Sequence, residues 1–245
     1  MKNYRLKIFC EFRITLSDSD DILNFLKKFI PDKKQPKVSV IEANYAEGSI
    51  STHEYFLSIF EMVKDLTQEK VYLESGKMKT DNSFKDFVSY CKENDHELII
   101  LSDFFESYIR NVFRQNDIDV KFYSGQFLEI PDSDKIEIFY PDTDDYCKLC
   151  NTCKRNILIC NTNDLGNEIS VYIGDSISDQ CVSGFADIVF AKGKLASYCW
   201  KNNITYFEFD GFKDIINKLS KSENKKFIKQ RNEALVRRRD ILMGG

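Results

Sequence analysis

Two carboxylates four residues apart, Asp175 and Asp179, stand in the segment VYIGDSISDQC, just past an apolar run that ends at Gly174. Hard oxygen ligands at a strand terminus suit Mg2+, which takes one or two carboxylates together with phosphate oxygens and water. The same residues also suit a helix N-terminus, where capping and the helix dipole favour Asp. Three further segments carry groups of related chemistry. IILSDFF supplies Ser102 and Asp103, and a hydroxyl with backbone N–H groups opening a helix makes a phosphate cradle. CNTCKRNIL supplies Lys154, a cation able to neutralise an anionic substrate. IFCEFRIT closes an apolar run with Glu11 and Arg13 two residues apart, followed by Ile14 and Thr15.

Positioning these groups is the work of short runs rich in β-branched and aromatic residues: LKIFCEF (6 to 12), ELIILS (97 to 102), ISVYIG (169 to 174), DIVFA (187 to 191) and ITYFEF (204 to 209). Segments of helical period, such as DFFESYIRNVFRQN and FKDIINKLS, lie between most of them. Strands alternating with helices predict an α/β fold, a doubly wound and mainly parallel sheet covered on both faces. The alternation breaks after the first strand, where DSDDILNFLKKFI, STHEYFLSIFEMVKDL and NSFKDFVSYCKEN are almost wholly helical. We read residues 17–94 as an inserted helical cap above the carboxyl ends of the strands, where open α/β sheets bind ligands. Residues 1–16 and 95–245 form the core. The stretch from Phe122 to Lys154, with PDSDK and PDTDD, reads as a hairpin or loop.

Taken in order, these segments resemble the haloacid dehalogenase superfamily, in its phosphoserine-phosphatase-like branch near the 2-hydroxy-3-keto-5-methylthiopentenyl-1-phosphate phosphatases. The resemblance rests on a first strand carrying motif one, a helical cap, Ser102, Lys154 and the acidic GDSISD, with ADIVFAKGKLASYC following, and it runs to about Asp210. It implies a Mg2+-dependent phosphomonoesterase. Glu11, Asp175 and Asp179 would be the metal ligands, Thr15, Ser102, Asp103 and Lys154 the phosphate holders, and Glu11, Arg13 and Lys154 the catalytic positions.

The first motif of that family reads Asp-x-Asp-Gly-Thr, and this chain has Glu11, Arg13, Ile14 and Thr15 there. Glu11 keeps a carboxylate but adds a methylene, and displacing an attacking atom by about 1 Å can cost about a hundredfold in rate. Arg13 does not act as a general acid or base near neutral pH, because guanidinium holds its proton. Ile14 is β-branched and resists the backbone freedom of glycine. Arg13 is expected either to pair with Glu11, Asp175 or Asp179 and weaken Mg2+ binding, or to grip a phosphate directly. The expectation is a phosphatase homologue that holds a phosphorylated metabolite or a protein partner, with weak or lost turnover. The alternative is an active enzyme with Glu11 as nucleophile.

Eight cysteines are too sparse for a disulfide scaffold in a chain of this length. Cys147, Cys150 and Cys153, with Cys160 nearby, are either zinc ligands or packed thiols. His53 and His96 have no nucleophile beside them in sequence, which argues against a Cys/His hydrolase. No apolar run approaches the roughly 20 residues of a membrane helix, and no signal peptide is legible, so the expected location is cytoplasmic. The formal charge of −4 speaks against nucleic-acid binding, but from Lys213 onward ten basic residues face four acidic ones. That tail, with Phe227, Ile228, Leu235 and Ile241 on one side, reads as a helix packed on the core or docked on an acidic protein or membrane surface.

Overall fold

The computed structural model describes residues 4–17, 21–130, 133, 135–221 and 227–244. Its sheet has the strand order β4-β3-β2-β1-β5-β6-β7, formed by β1 (Arg5–Glu11), β2 (Glu97–Phe105), β3 (Lys121–Glu129), β4 (Ile136–Phe139), β5 (Glu168–Gly174), β6 (Ile188–Ala191) and β7 (Phe207–Glu208). Every pairing is parallel except β3 with β4, the hairpin expected between 122 and 154. Part of its turn, at residues 131, 132 and 134, lies outside the described residues. The expected strand 204–209 shortens to two residues, because only Phe207 and Glu208 find partners on β6.

Both faces of the sheet are buried, as the near-continuous apolar strands require. Ile8, Cys10, Ile100 and Ile173 point into one packed layer, and Phe9, Ile99, Leu101 and Tyr172 into the other. Between β1 and β2 the chain runs through α1 (Asp21–Lys27), α2 (Gln35–Glu47), α3 (Thr52–Phe60), α4 (Gln68–Ser75) and α5 (Asn82–Glu93). Around the other strands lie α6 (Glu106–Gln115), α7 (Lys154–Asn161), α8 (Gln180–Ser183), α9 (Gly193–Lys201), α10 (Phe212–Ser220) and α11 (Asn232–Leu242).

The inserted helices do not all belong to the cap. Its two stems meet at an antiparallel bridge between Leu16 and Thr80, flanked by the Ser17 N–H to Lys79 carbonyl and Asp81 N–H to Thr15 carbonyl bonds, each 2.9 Å. Beyond that bridge α5 packs on the core. Its Phe84 and Phe87 sit 4.9 and 5.2 Å from the ring of Phe212 on α10. The helical period of α5 shows that one face is buried, but not that Phe212 on α10 covers it.

The basic tail also differs from the expectation. Residues 222–226, which include Lys225 and Lys226, lie outside the described residues. Phe227 and Ile228 precede α11 and pack against the larger core layer, while the helix buries Ala234 and Arg238 in place of Leu235 and Ile241. The Arg238 side chain is fully buried and donates to both Asp164 oxygens, to Asp187 at 3.2 Å, to Ser170 Oγ at 3.2 Å and to the Phe185 carbonyl at 2.6 Å. A bidentate, charge-assisted network, more than an apolar stripe, holds the C-terminal helix on the chain. Arg238→Ala leaves Asp187 buried without its cation and should lower stability by about 3–5 kcal/mol; a urea midpoint unchanged from the native protein would show that α11 is not anchored this way.

Candidate functional site

The parallel sheet reverses direction about β1, with β2 on one side and β5 on the other, so their carboxyl ends frame the crevice in which such sheets bind ligands. Glu11 is the last residue of β1 and pairs in register with Leu101, while Asp175 follows β5 directly. Three chain segments thereby converge on Lys154, the first residue of α7. Its ammonium is 1% exposed and donates to Glu11 Oε2, to Ser178 Oγ at 2.6 Å and to Asp179 Oδ1 at 2.8 Å, with Asp103 Oδ2 at 3.4 Å. Its donor capacity is spent within the protein.

Asp179 is fully committed as well. Oδ1 also accepts from the Tyr172 hydroxyl at 2.6 Å, and Oδ2 accepts from the N–H groups of Asp175 and Ser176 and from Ser176 Oγ, at 2.8–3.0 Å. Ser176 and Asp179 form a reciprocal cap on the short turn that leads into α8. The carboxylate approaches the backbone so closely that a Cβ at Gly174 would lie 2.6 Å from its Oδ2. Of the two chemistries that Asp175 and Asp179 left open, capping accounts for Asp179. Asp175 instead accepts from Arg13 Nη2 at 2.8 Å, the pairing that the sequence offered among three.

Ser102 does not open a helix. β2 continues through Phe105, across a bulge in its pairing with β3, because Phe104 and Phe105 are drawn into the aromatic core. The Ser102 hydroxyl accepts from the Phe104 N–H at 3.0 Å, and its carbonyl accepts from the Thr152 hydroxyl at 2.7 Å. Asp103 turns its carboxylate inward, accepting from the N–H groups of Asn151 and Thr152 at 2.8 and 3.0 Å, so it takes up donors where a phosphate holder was expected. Thr15 is fully buried and donates to the Phe12 carbonyl at 2.7 Å, stabilising the turn after β1 and standing apart from the cavity lining.

Two carboxylates compete for Lys154. Burial would raise Asp179, but Lys154, Tyr172 and the Ser176 N–H outweigh it and hold the acid down, to about 2. Burial dominates for Glu11 and lifts it to about 8, opposed by Lys154 and reinforced by Asp179 and Asp103. Burial would lower Lys154, yet Asp179 and Glu11 keep it well above its ordinary value. Of the two acids, Glu11 is thus held toward its protonated form and Asp179 toward its ionised form. Arg13, likewise desolvated, is kept protonated chiefly by Asp175.

Mg2+ does not fit this donor set. Of the three carboxylates that the resemblance assigned to it, Glu11 and Asp179 are drawn to Lys154 and Asp175 to Arg13, and Asp179 has no oxygen left to offer. Among the described residues no group of three or more His, Cys, Asp and Glu side chains is arranged to hold a metal, Cys147, Cys150, Cys153 and Cys160 included. Burial raises the Cys153 thiol to about 11, which opposes the thiolate that zinc requires.

Above this floor, cap and core enclose a cavity of about 290 Å3, lined by Glu11, Arg13, Ser102 and Asp103 below and by Leu26, Tyr45, Tyr55 and Phe56 from the cap. A capping box on α3, with Ser51 Oγ accepting from the Glu54 N–H at 3.1 Å, sets the angle of the helix that carries Tyr55 and Phe56. The cap is tied to the floor by His53 Nδ1 and Asn151 Oδ1, 2.8 Å apart, and by the Thr52 N–H to the Leu149 carbonyl at 3.0 Å. In sequence His53 was read only as lacking a nucleophile beside it, since nothing there links it to a loop 98 positions away. Tyr172 and Ser178 were missed too, although both lie within the segment VYIGDSISDQC.

No family model matches the chain. It is 24% identical over 223 residues to a 2-hydroxy-3-keto-5-methylthiopentenyl-1-phosphate phosphatase of Bacillus cereus, covering 86% of this chain and 94% of that protein. It is 28% identical over 218 residues to the protein of that name from Brevibacillus brevis, with the same coverage. Among solved structures, a substrate-bound phosphoserine phosphatase matches with a TM-score of 0.66 at 16% identity, over 89% of this chain and 99% of that one. A phospho-aspartyl intermediate analogue of phosphoserine phosphatase matches with a TM-score of 0.65 at 15% identity, over 88% and 99%.

Two measurements test the site. Calorimetric titration of the protein with Mg2+ should show no tight binding; a tight isotherm would overturn the assignment of Glu11, Asp175 and Asp179 to protein cations. In the unfolded chain Glu11 releases its proton near its ordinary value of 4.5, and in the folded protein at about 8. The folded state therefore holds an extra proton between those values, so the stability Glu11 contributes is complete below pH 4.5 and is lost as pH rises through about 8. Glu11→Gln should flatten that part of the stability profile, leaving the Asp179 contribution, which is lost only as pH falls below 3.8 toward about 2. An unchanged slope between pH 5 and 8 in the variant would place the proton elsewhere.

The order of the motifs, the sheet topology and these relatives agree with the resemblance read in the sequence: over most of its length the chain is similar to 2-hydroxy-3-keto-5-methylthiopentenyl-1-phosphate phosphatases, and its fold is that of the phosphoserine phosphatases.

Proposed function

We propose that the protein is a phosphatase homologue that holds a small ligand between cap and core and turns phosphomonoesters over weakly or not at all. The observation that carries this reading is the Arg13 to Asp175 ion pair, 2.8 Å long, at the position where phosphoryl transfer by this family's chemistry needs a second carboxylate. A guanidinium neither protonates a leaving oxygen nor activates water. Glu11 adds a second obstacle, since a carboxyl that keeps its proton at neutral pH is a poor nucleophile. A phosphorylated ligand, the first expectation from sequence, would be held chiefly by Arg13, because Lys154 is enclosed by Glu11, Asp103, Asp179 and Ser178. It would also meet the carboxylates already gathered there. A ligand without phosphate suits the site better. The basic face of α11 stays a second place to seek a protein partner, apart from Arg238, which is spent internally.

The active-enzyme alternative is tested by phosphate release from a broad panel of phosphomonoesters with Mg2+. The native protein should match the protein-free background. The triple variant Glu11→Asp, Arg13→Asp, Ile14→Gly should exceed it, by about a hundredfold if general acid and base chemistry is restored. Native turnover that disappears in Lys154→Ala would overturn the proposal and make Glu11 the nucleophile.

A further inference from the structure

The cavity has a wall that phosphate chemistry does not use. Tyr45 and Tyr55 stack with ring centroids 4.5 Å apart, Tyr55 meets Phe56 edge-on at 5.3 Å, and Phe56 stands 6.2 Å from Phe104. All four rings line the cavity, so one continuous aromatic surface runs from the cap down to β2. Beneath it, Glu11 and Asp103 form the floor. Arg13 also lines the cavity, but its charge is met by Asp175, while Glu42 on the far wall is met by Lys27 at 3.1 Å.

The charges of this floor do not balance. Glu11 and Asp103 line the cavity beside Arg13, while Asp175, Asp179 and Lys154 lie behind the lining; among the described residues these four carboxyl groups form ion pairs with two cations, Arg13 and Lys154, so acids outnumber cations at and beneath the floor. Aromatic faces present the negative side of their quadrupole and attract cations, more strongly once desolvated. An anion entering the cavity meets like charge at the floor and an unfavourable wall. A cation with an apolar body meets favourable partners at both. The volume, about 290 Å3, is at the small end of small-molecule sites and equals the share of about ten waters.

We propose that the cavity takes a compact organic cation, an ammonium on an aromatic or branched apolar body, its charge facing Glu11 and Asp103 and its body packed on Tyr45, Tyr55, Phe56 and Phe104. The proposal rests on the reading that this site holds a ligand without turning it over, and it names the class of that ligand. Asp103 is the specificity-determining residue: by occupying the Asn151 and Thr152 N–H groups and standing 3.4 Å from Lys154, it keeps the site from presenting those donors to a phosphate.

Three probes of similar size separate the possibilities: phenethylamine, its neutral counterpart 2-phenylethanol, and phenyl phosphate, each titrated calorimetrically into the full chain at neutral pH. The amine should bind about tenfold more tightly than the alcohol, and phenyl phosphate more weakly than either. Asp103→Asn should erase the advantage of the amine over the alcohol. Phe56→Leu, which keeps the cavity apolar and leaves the charged floor intact, should reduce amine binding several-fold and provides the test if Asp103→Asn does not fold. Equal affinity for amine and alcohol, tightest binding of phenyl phosphate, or no binding of the amine at about 1 mM would each overturn the inference. Release of phosphate from phenyl phosphate is a separate outcome, and it would overturn the proposed lack of turnover.

Discussion

The site depends on a single buried ammonium. Lys154 reaches into the crevice from the start of α7 and is shared by Glu11 from β1, Asp103 from β2, and Ser178 and Asp179 from the turn after β5. Burying any of these carboxylates without a partner would be costly, and the ammonium would itself shed its proton if left alone in such surroundings. Together they are stable enough to hold the carboxyl ends of three parallel strands in a fixed relation. The same arrangement explains why Glu11 carries the proton: Asp179 has five donors and Glu11 has Lys154 and a long contact from the Arg13 N–H at 3.4 Å.

Placing an arginine at position 13 changes what this arrangement can do. A carboxylate there would add to an excess of negative charge that a divalent cation could neutralise. Arg13 supplies a fixed positive charge, pairs with Asp175 and leaves the remaining acids to Lys154. The local electrostatic problem is then solved with protein groups, and the cavity above inherits the surplus of carboxyl groups with an aromatic wall. A fold like that of the phosphatases it is similar to does not by itself set the charge of the ligand, because that charge is set by a few side chains at strand ends and not by the sheet that presents them.

A second buried cation secures the opposite part of the chain. Arg238 joins α11 to Asp164, Asp187 and Ser170, groups at the beginnings of β5 and β6 and in the loop before them. An amphipathic reading of the tail looks for apolar residues on its inner face and finds Leu235 and Ile241, but Ile241 is exposed and the fully buried long side chain is the arginine. Complementary acids elsewhere in the sequence make that burial possible. Nothing in the helix itself reveals them.

What the sequence determined was the class of the fold, the order of its motifs and the residues that meet at the strand ends. The period-two and continuous apolar runs locate β1, β2, β5 and β6 to within a few residues, and turn residues mark where each stops. The arginine at position 13 and the missing glycine at 14 are readable one residue at a time, because their chemistry does not depend on their neighbours. The tertiary structure decided which acid meets which cation, that Ser102 lies within a strand, that α5 belongs to the core, and that Arg238 turns inward. Each of these depends on contacts between residues tens to more than a hundred positions apart. Local propensity is insensitive to such contacts, whereas burial energy and charge pairing are governed by them.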